Sequence, residues 1–218
     1  RKYCLKQHDL ARVKAKIKNI KSDHLKDIRK KLLPIEGKAS ELYFKQIFQL
    51  LPKNLRVEKR RGWRAYDGIN NTFNLAYTFL KYRVYLAILR AKLEPYLGFV
   101  HSEQFGKPSL VCDFMELHRY LIDNFIIEYS QTLKPRDFTI KTEWYSTNRL
   151  GKRQVLNKEK TKELTRKLNQ YFETRINIPR IRHGKHQTLE TLINEEAYLL
   201  AKFLRNEKFS WKPRVANL

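Results

Sequence analysis

The amino-acid sequence predicts an all-α fold, a single multi-helix domain of residues 1–218 with at most a short hairpin. Two observations support this. Apolar residues recur at three- and four-residue spacing over long stretches, and prolines punctuate those stretches where helices should stop. A third observation bears on use. There are 46 Lys and Arg against 22 Asp and Glu, a net charge of +24, set on polar helix faces around a 42% apolar content that can build a core.

Taken in order, Leu10, Val13, Ile17, Ile20 and Leu25 predict a basic linker helix within residues 1–33, closed by Pro34. A second amphipathic helix should start near Glu36 and run to Pro52 on Ala39, Leu42, Tyr43, Ile47 and Leu50. The stretch PKNLRVEKRRGWRAY that follows is too polar for a core element and reads as a basic loop. Asp67 is placed as the N-cap of an apolar helix reaching towards Pro95. PSLVCDFMELHRYLIDNFIIEYSQ should form one long helix with Pro108 in its first turn. At 100° per residue Val111, Phe114, Met115 and His118 share its apolar face, and Asp113, Glu116, Tyr120 and Asp123 fall opposite. A short hairpin is expected around Asn148 to Gly151, then helices over 158–176 and 188–206, then a loose tail at 207–218.

Composition also excludes. No apolar run is long enough to span a bilayer, so no membrane partner is expected. Cys4 and Cys112 form no metal-spaced pair and no disulfide framework, which suits a reducing, cytoplasmic setting. The opening residues carry no cleavable leader and read as the interior of a protein. A charge of this size calls for a polyanion, and nucleic acid leads.

Against that background a few acids stand out. Glu36, His101, Asp113 and Glu116 offer oxygen and imidazole donors without thiols, a set suited to Mg²⁺ or Mn²⁺. Phosphodiester chemistry uses such an ion to polarise the phosphate and activate a hydroxyl. Each acid also has a plainer reading: Asp113 and Glu116 as the wet face of a helix, Glu36 as a first-turn acid favoured by the helix dipole. In EKRRGWRAY, Arg60, Arg61 and Arg64 could meet phosphates and Trp63 could stack on a base. The two histidines of HGKH, His183 and His186, read as a basic surface patch.

PIEGKASELYF, DGINNTFNLAYTFL and EPYLGFVHSEQFGKPSLVCDFMELHR occur in the order in which the helical catalytic domain of the CRISPR-associated spacer-acquisition integrase (Cas-one) carries its motifs. The chain resembles that family over about residues 7–131. The resemblance implies a metal-dependent DNA endonuclease and integrase that inserts short DNA into a repeat array by attack of a 3′-hydroxyl. It implies Glu36, His101 and Glu116 as metal ligands, with Asp113 as an auxiliary acid and the choice between Asp113 and Glu116 left open in favour of Glu116. Lys107 and Arg119 resemble phosphate neighbours, and Tyr77 the family's aromatic. Double-stranded DNA, a homodimer and the small partner Cas-two are implied as partners. The family's N-terminal β-domain is expected to be absent from this chain. A casposase-like transposon integrase and a non-catalytic helical nucleic-acid binder are the competing readings.

Overall fold

In the computed structural model the described residues are 7–62, 65–146, 149–176 and 187–216. Seven α-helices occur among them: α1 (Gln7–Lys18), α2 (Leu25–Leu50), α3 (Gly68–Arg90), α4 (Ser109–Glu116), α5 (Arg119–Ser130), α6 (Lys158–Phe172) and α7 (Leu189–Leu204). Two antiparallel sheets accompany them, one of β1 (Phe138–Ser146) with β2 (Arg149–Leu156), the other of β3 (Arg175–Ile176) with β4 (Gln187–Thr188). The all-α expectation is therefore corrected. The hairpin pairs from Phe138↔Leu156 to Ser146↔Arg149, and its β-branched and aromatic residues, Thr139, Ile140, Thr142 and Trp144, favour a pleated strand over a helix.

Residues 1–74 and 126–160 form one compact unit, residues 75–125 and 161–218 a second. In the first, Phe44, Ile47 and Phe48 of α2 are buried, as are Phe73 of α3 and Ile126 and Ile127 of α5. Phe44 and Phe73 meet edge-on at 5.9 Å between centroids. Pro34 does not end a helix here. It lies inside α2, and the break comes earlier, at residues 19–24, where the Ser22 hydroxyl accepts from His24 N at 3.3 Å. A proline in the tenth position of a long, otherwise favourable helix removes one hydrogen bond and is outweighed by the buried face that follows it.

Asp67 does cap α3: its Oδ1 accepts from Asn70 N at 2.7 Å. The next residue ties the hairpin to the helix. Buried Asn71 donates to the carbonyls of Ala65 and Gln154, and the Gln154 side chain accepts from Gly68 N. Phe138 of β1 lies over Gly68, where an added Cβ would stand 2.3 Å from its ring. At the far end of α3, Lys92 takes a left-handed conformation (φ 58), with Leu93 N bonded to Ile88 O and Lys92 N to Leu89 O. This closes the helix as a Schellman turn without glycine.

In the second unit α4 and α5 replace the single helix expected from the wheel. Leu117 and His118 tighten the chain with Leu117 N bonded to Phe114 O and His118 N to Met115 O. No proline or glycine marks this break, so periodicity alone could not place it. It shifts the phase of all that follows, and Asp123, expected on the wet face, is only 2% exposed. The tail is also held. Buried Glu196 of α7 receives Trp211 Nε1 at 3.2 Å and a close ion pair from Arg214. Trp211 stacks on Phe114, and Ala216 N donates to the Tyr120 hydroxyl at 2.8 Å.

Replacing Gly68 with Ala should force the Phe138 ring from its seat and destabilise the protein by about 2 kcal/mol, the order of an overpacked core position. Urea unfolding of Gly68→Ala beside Gly68→Ser checks it, with both variants expected to lose stability in order of size.

Candidate functional site

The site is assembled in the second unit from the loop before α4 and from α4 itself. The loop at residues 95–108 has few internal partners and hangs on the helix. Pro95 O accepts from Leu110 N at 3.0 Å, and the Ser109 hydroxyl donates to Ser102 O at 2.8 Å. Asp113 then gathers the centre. Its Oδ2 accepts from Phe99 N at 2.5 Å and Val100 N at 2.9 Å, and its Oδ1 from His101 N at 2.9 Å. The same Oδ1 lies 2.5 Å from His101 Nδ1. The carboxylate must accept, so Nδ1 carries the proton and the lone pair on Nε2 is left for a ligand. Gly98 allows this closeness: a Cβ there would stand 2.8 Å from the Ser109 carbonyl carbon and 2.9 Å from Asp113 Oδ2.

Glu116 differs from Asp113. Its side chain is 38% exposed and meets Arg119 Nη1 at 3.0 Å from Oε1 and 3.2 Å from Oε2. The Arg119 guanidinium lies 4.8 Å over the Tyr77 ring, and the Tyr77 hydroxyl donates to Asp123 in a short bond. Burial opposes the Arg119 charge, but Glu116, Tyr77 and Asp123 together outweigh it and hold the guanidinium protonated. The row Asp123, Tyr77, Arg119 and Glu116 thus fixes a cation beside an accessible carboxylate. Sequence reasoning named Glu116, Arg119 and Tyr77 and missed Asp123, because the α4–α5 break leaves no sequence signal.

The other expected residues are placed as follows. Glu36 lies in the first half of α2 in the first unit, half-buried. Lys107 is half-buried at the turn it forms with Gln104. Arg60 is turned inward: it lies 5.6 Å over Phe44 and Phe73 and donates to Asn70 and Asn74. Arg61 stacks on exposed Tyr66 at 4.6 Å. Tyr77 is 6% exposed and acts through the groups it touches. Arg64, Trp63, His183 and His186 lie outside the described residues. Among the described residues no three His, Cys, Asp or Glu side chains form a ready metal cluster. The oxygen-and-imidazole donor set of His101 and Glu116 fits a hard divalent ion, and a third donor has to be supplied by another residue.

One buried histidine lies at the foot of this site. His118 is wholly buried against Phe114, both ring nitrogens are unpartnered, and burial pushes it down to about 4.

A mainly helical, strongly basic chain presenting an aspartate-anchored imidazole, with an accessible carboxylate one turn along the same helix from that aspartate, defines a candidate nucleic-acid-interacting protein. The chain belongs to the family of CRISPR associated protein Cas1, whose model matches residues 2–169. That match overturns the expectation of a missing N-terminal family domain, since the sequence is matched family sequence from residue 2 onward. It is 30% identical over 185 residues to CRISPR-associated endonuclease Cas1 3 of Thermus thermophilus, covering 82% of this chain and 51% of the relative. The chain spans between a third and a half of the length of curated relatives it matches. Its fold is similar to that of a casposase bound to integration product (TM-score 0.77, 21% identity, 93% of this chain and 54% of that one). It is also similar to a chain of a partial Cas6-RT-Cas1–Cas2 complex (TM-score 0.78, 21% identity, 98% and 60%). No helix among the described residues is long and apolar enough to cross a membrane.

Asp113→Ala leaves three backbone N–H groups without their acceptor and should cost about 3 kcal/mol or more. Amide exchange should accelerate at Phe99, Val100 and His101 well beyond any change at Leu164 in α6. For His118, the folded value lies below the unfolded 6.5, so the unfolded chain binds the proton first as pH falls. Stability should be flat above about pH 6.5 and decline by about 3 kcal/mol down to pH 4, and His118→Leu should flatten that decline. Thermal melts across that range test it.

Proposed function

We propose that this chain is the helical catalytic part of a divalent-metal-dependent DNA endonuclease and integrase that joins short DNA fragments into a CRISPR array. The observation behind the reading is the His101 imidazole, held by Asp113 through Nδ1 with Nε2 left for a ligand, in a +24 chain of the Cas1 family. Relatives named endonucleases and a structural neighbour described with an integration product support it.

In this reading His101 Nε2 and Glu116 would hold Mg²⁺ or Mn²⁺, and Glu36 is the further ligand that the family resemblance implies. Such an ion, when bound, polarises the target phosphate and favours ionisation of the attacking hydroxyl. Asp113 keeps the imidazole in the required tautomer and is no ligand itself, because its oxygens already accept from four donors. Arg119, displaced from Glu116 towards the substrate, offsets charge building on the non-bridging oxygens. The 3′-oxygen of the incoming strand forms a new bond to phosphorus as the bond to the leaving 3′-oxygen breaks. The attacking hydroxyl's proton passes to solvent, the leaving 3′-oxygen takes one from solvent, and no covalent enzyme intermediate is required. Double-stranded DNA is the substrate and the working assembly a homodimer with a small Cas2-type partner; a structural neighbour described as a partial Cas6-RT-Cas1–Cas2 complex supports the partner alone.

Supercoiled plasmid, a short duplex with free 3′-hydroxyls and Mn²⁺ should yield half-site joined products, lost on chelation. His101→Ala and Glu116→Ala should each lose at least about 100-fold, the order of a lost metal ligand. Wild-type joining by either variant overturns the assignment. Mn²⁺ should raise the melting temperature of the wild type, and Glu36→Ala should abolish the rise. Absence of any metal-dependent shift favours a non-catalytic nucleic-acid binder, and preference for transposon ends over a leader and repeat favours a casposase-like integrase.

A further inference from the structure

The hairpin of the first unit is not used by the proposed chemistry. Its base is well held: Phe138 and Leu156 are buried, Gln154 N donates to Tyr66 O at 2.7 Å, and Arg153 bridges Glu143 and Asn71 at 3.0 Å each. Beyond that base the ribbon turns apolar where a surface should be polar. Side chains alternate along each strand, so Ile140, Thr142 and Trp144 share one face with Leu150 and Lys152 of the facing strand. Trp144 stands opposite Leu150, and Ile140, Trp144 and Leu150 are 70%, 69% and 53% exposed. Three large apolar groups on one side of a two-stranded ribbon form a patch, which a lone surface residue would not.

Charge says what could cover it. Residues 138–156 hold four cations, Lys141, Arg149, Lys152 and Arg153, against one anion, Glu143. The anion is consumed by Arg153, and Lys141 and Lys152 are exposed along the ribbon. A neutral lipid or acidic protein surface would answer the apolar residues or the cations singly, and an anionic bilayer would answer both but needs more buried apolar area than three side chains supply. Duplex DNA answers both. A two-stranded ribbon has the width that the major groove, about 12 Å across, admits, with apolar side chains on thymine methyl groups and lysines on the flanking phosphates.

We propose that the β1–β2 ribbon is a DNA-docking element that lies in the major groove of a duplex, with Ile140, Trp144 and Leu150 towards the base edges and Lys141 and Lys152 on phosphates. The ribbon orients a duplex independently of the chemistry at His101 and Glu116, so a chain that bound DNA without joining it would still use it.

The test is fluorescence anisotropy of a labelled random-sequence duplex with the full chain, titrated at several salt concentrations. Trp144→Ala should weaken binding about tenfold with an unchanged salt slope, and Trp144→Phe should recover most of it. Lys141→Gln with Lys152→Gln should lower the slope of log K against log salt by about 2, one phosphate contact for each lysine. A duplex whose major groove is filled by glucosylated 5-hydroxymethylcytosine should bind the wild type and Trp144→Ala equally weakly, whereas netropsin in the minor groove should leave their difference intact. Equal binding of wild type and Trp144→Ala to plain duplex overturns the proposal. So does a Trp144→Ala effect confined to the mass of the protein in solution, which would make the ribbon a contact between copies of the chain. The titrations are run in EDTA, where no metal-dependent contact contributes, so failure of the ribbon and failure of the catalytic reading separate.

Discussion

One carboxylate organises the site. Asp113 projects from α4 into a loop that has no regular structure of its own and satisfies three of its backbone N–H groups and one ring nitrogen. An irregular loop beside a helix ordinarily leaves such donors to water, and a mobile histidine would follow. Charge-assisted bonds to one acceptor fix both the path of the loop and the tautomer of His101. Gly98 and Ser109 are small because that acceptor must come close. Remove the carboxylate, and the imidazole loses the contact that positions it.

The same helix is steadied from behind. Phe114, one residue on from Asp113, is covered by Trp211, which is tied by its indole nitrogen to buried Glu196. Glu196 is wholly buried and would be intolerable alone, but Trp211 and Arg214 both donate to it, so its desolvation is offset by charge-assisted bonds. The C-terminal segment therefore owes its order to one acid on α7. Composition could not reveal this: KFSWKPRVA is polar, basic and proline-containing, and only a buried partner holds its Trp211 and Arg214.

Much of the fold was legible. Helical spacing located α3, α6 and α7 closely, and Asp67 was identified as the cap it is. The errors share a physical origin. Pro34 looked like a stop because propensity is local, whereas the buried face of α2 favours continuation through it. Asp123 looked wet because a wheel assumes unbroken phase, and the turn at Leu117 and His118 breaks it without glycine or proline. The hairpin looked short because Thr, Trp, Lys and Glu alternate only weakly, and its length is set by pairing with a partner strand and by Asn71. Arg60 looked like a phosphate contact because its neighbours are basic, but two phenyl rings and two asparagines claim it.

By itself the sequence determined the chemistry at hand: a polyanion-seeking charge, a thiol-free set of donors in Glu36, His101, Asp113 and Glu116, and a mainly helical chain. These follow from composition and spacing, which are properties of neighbours along the chain. Tertiary structure decided the roles. Asp113 and Glu116 are one helical turn apart and chemically near-equivalent in sequence, yet one is spent on holding a loop and the other remains accessible beside Arg119. That difference arises because residues 95–108 fold back onto one side of α4, and which donors meet a carboxylate is settled only when distant segments are brought together.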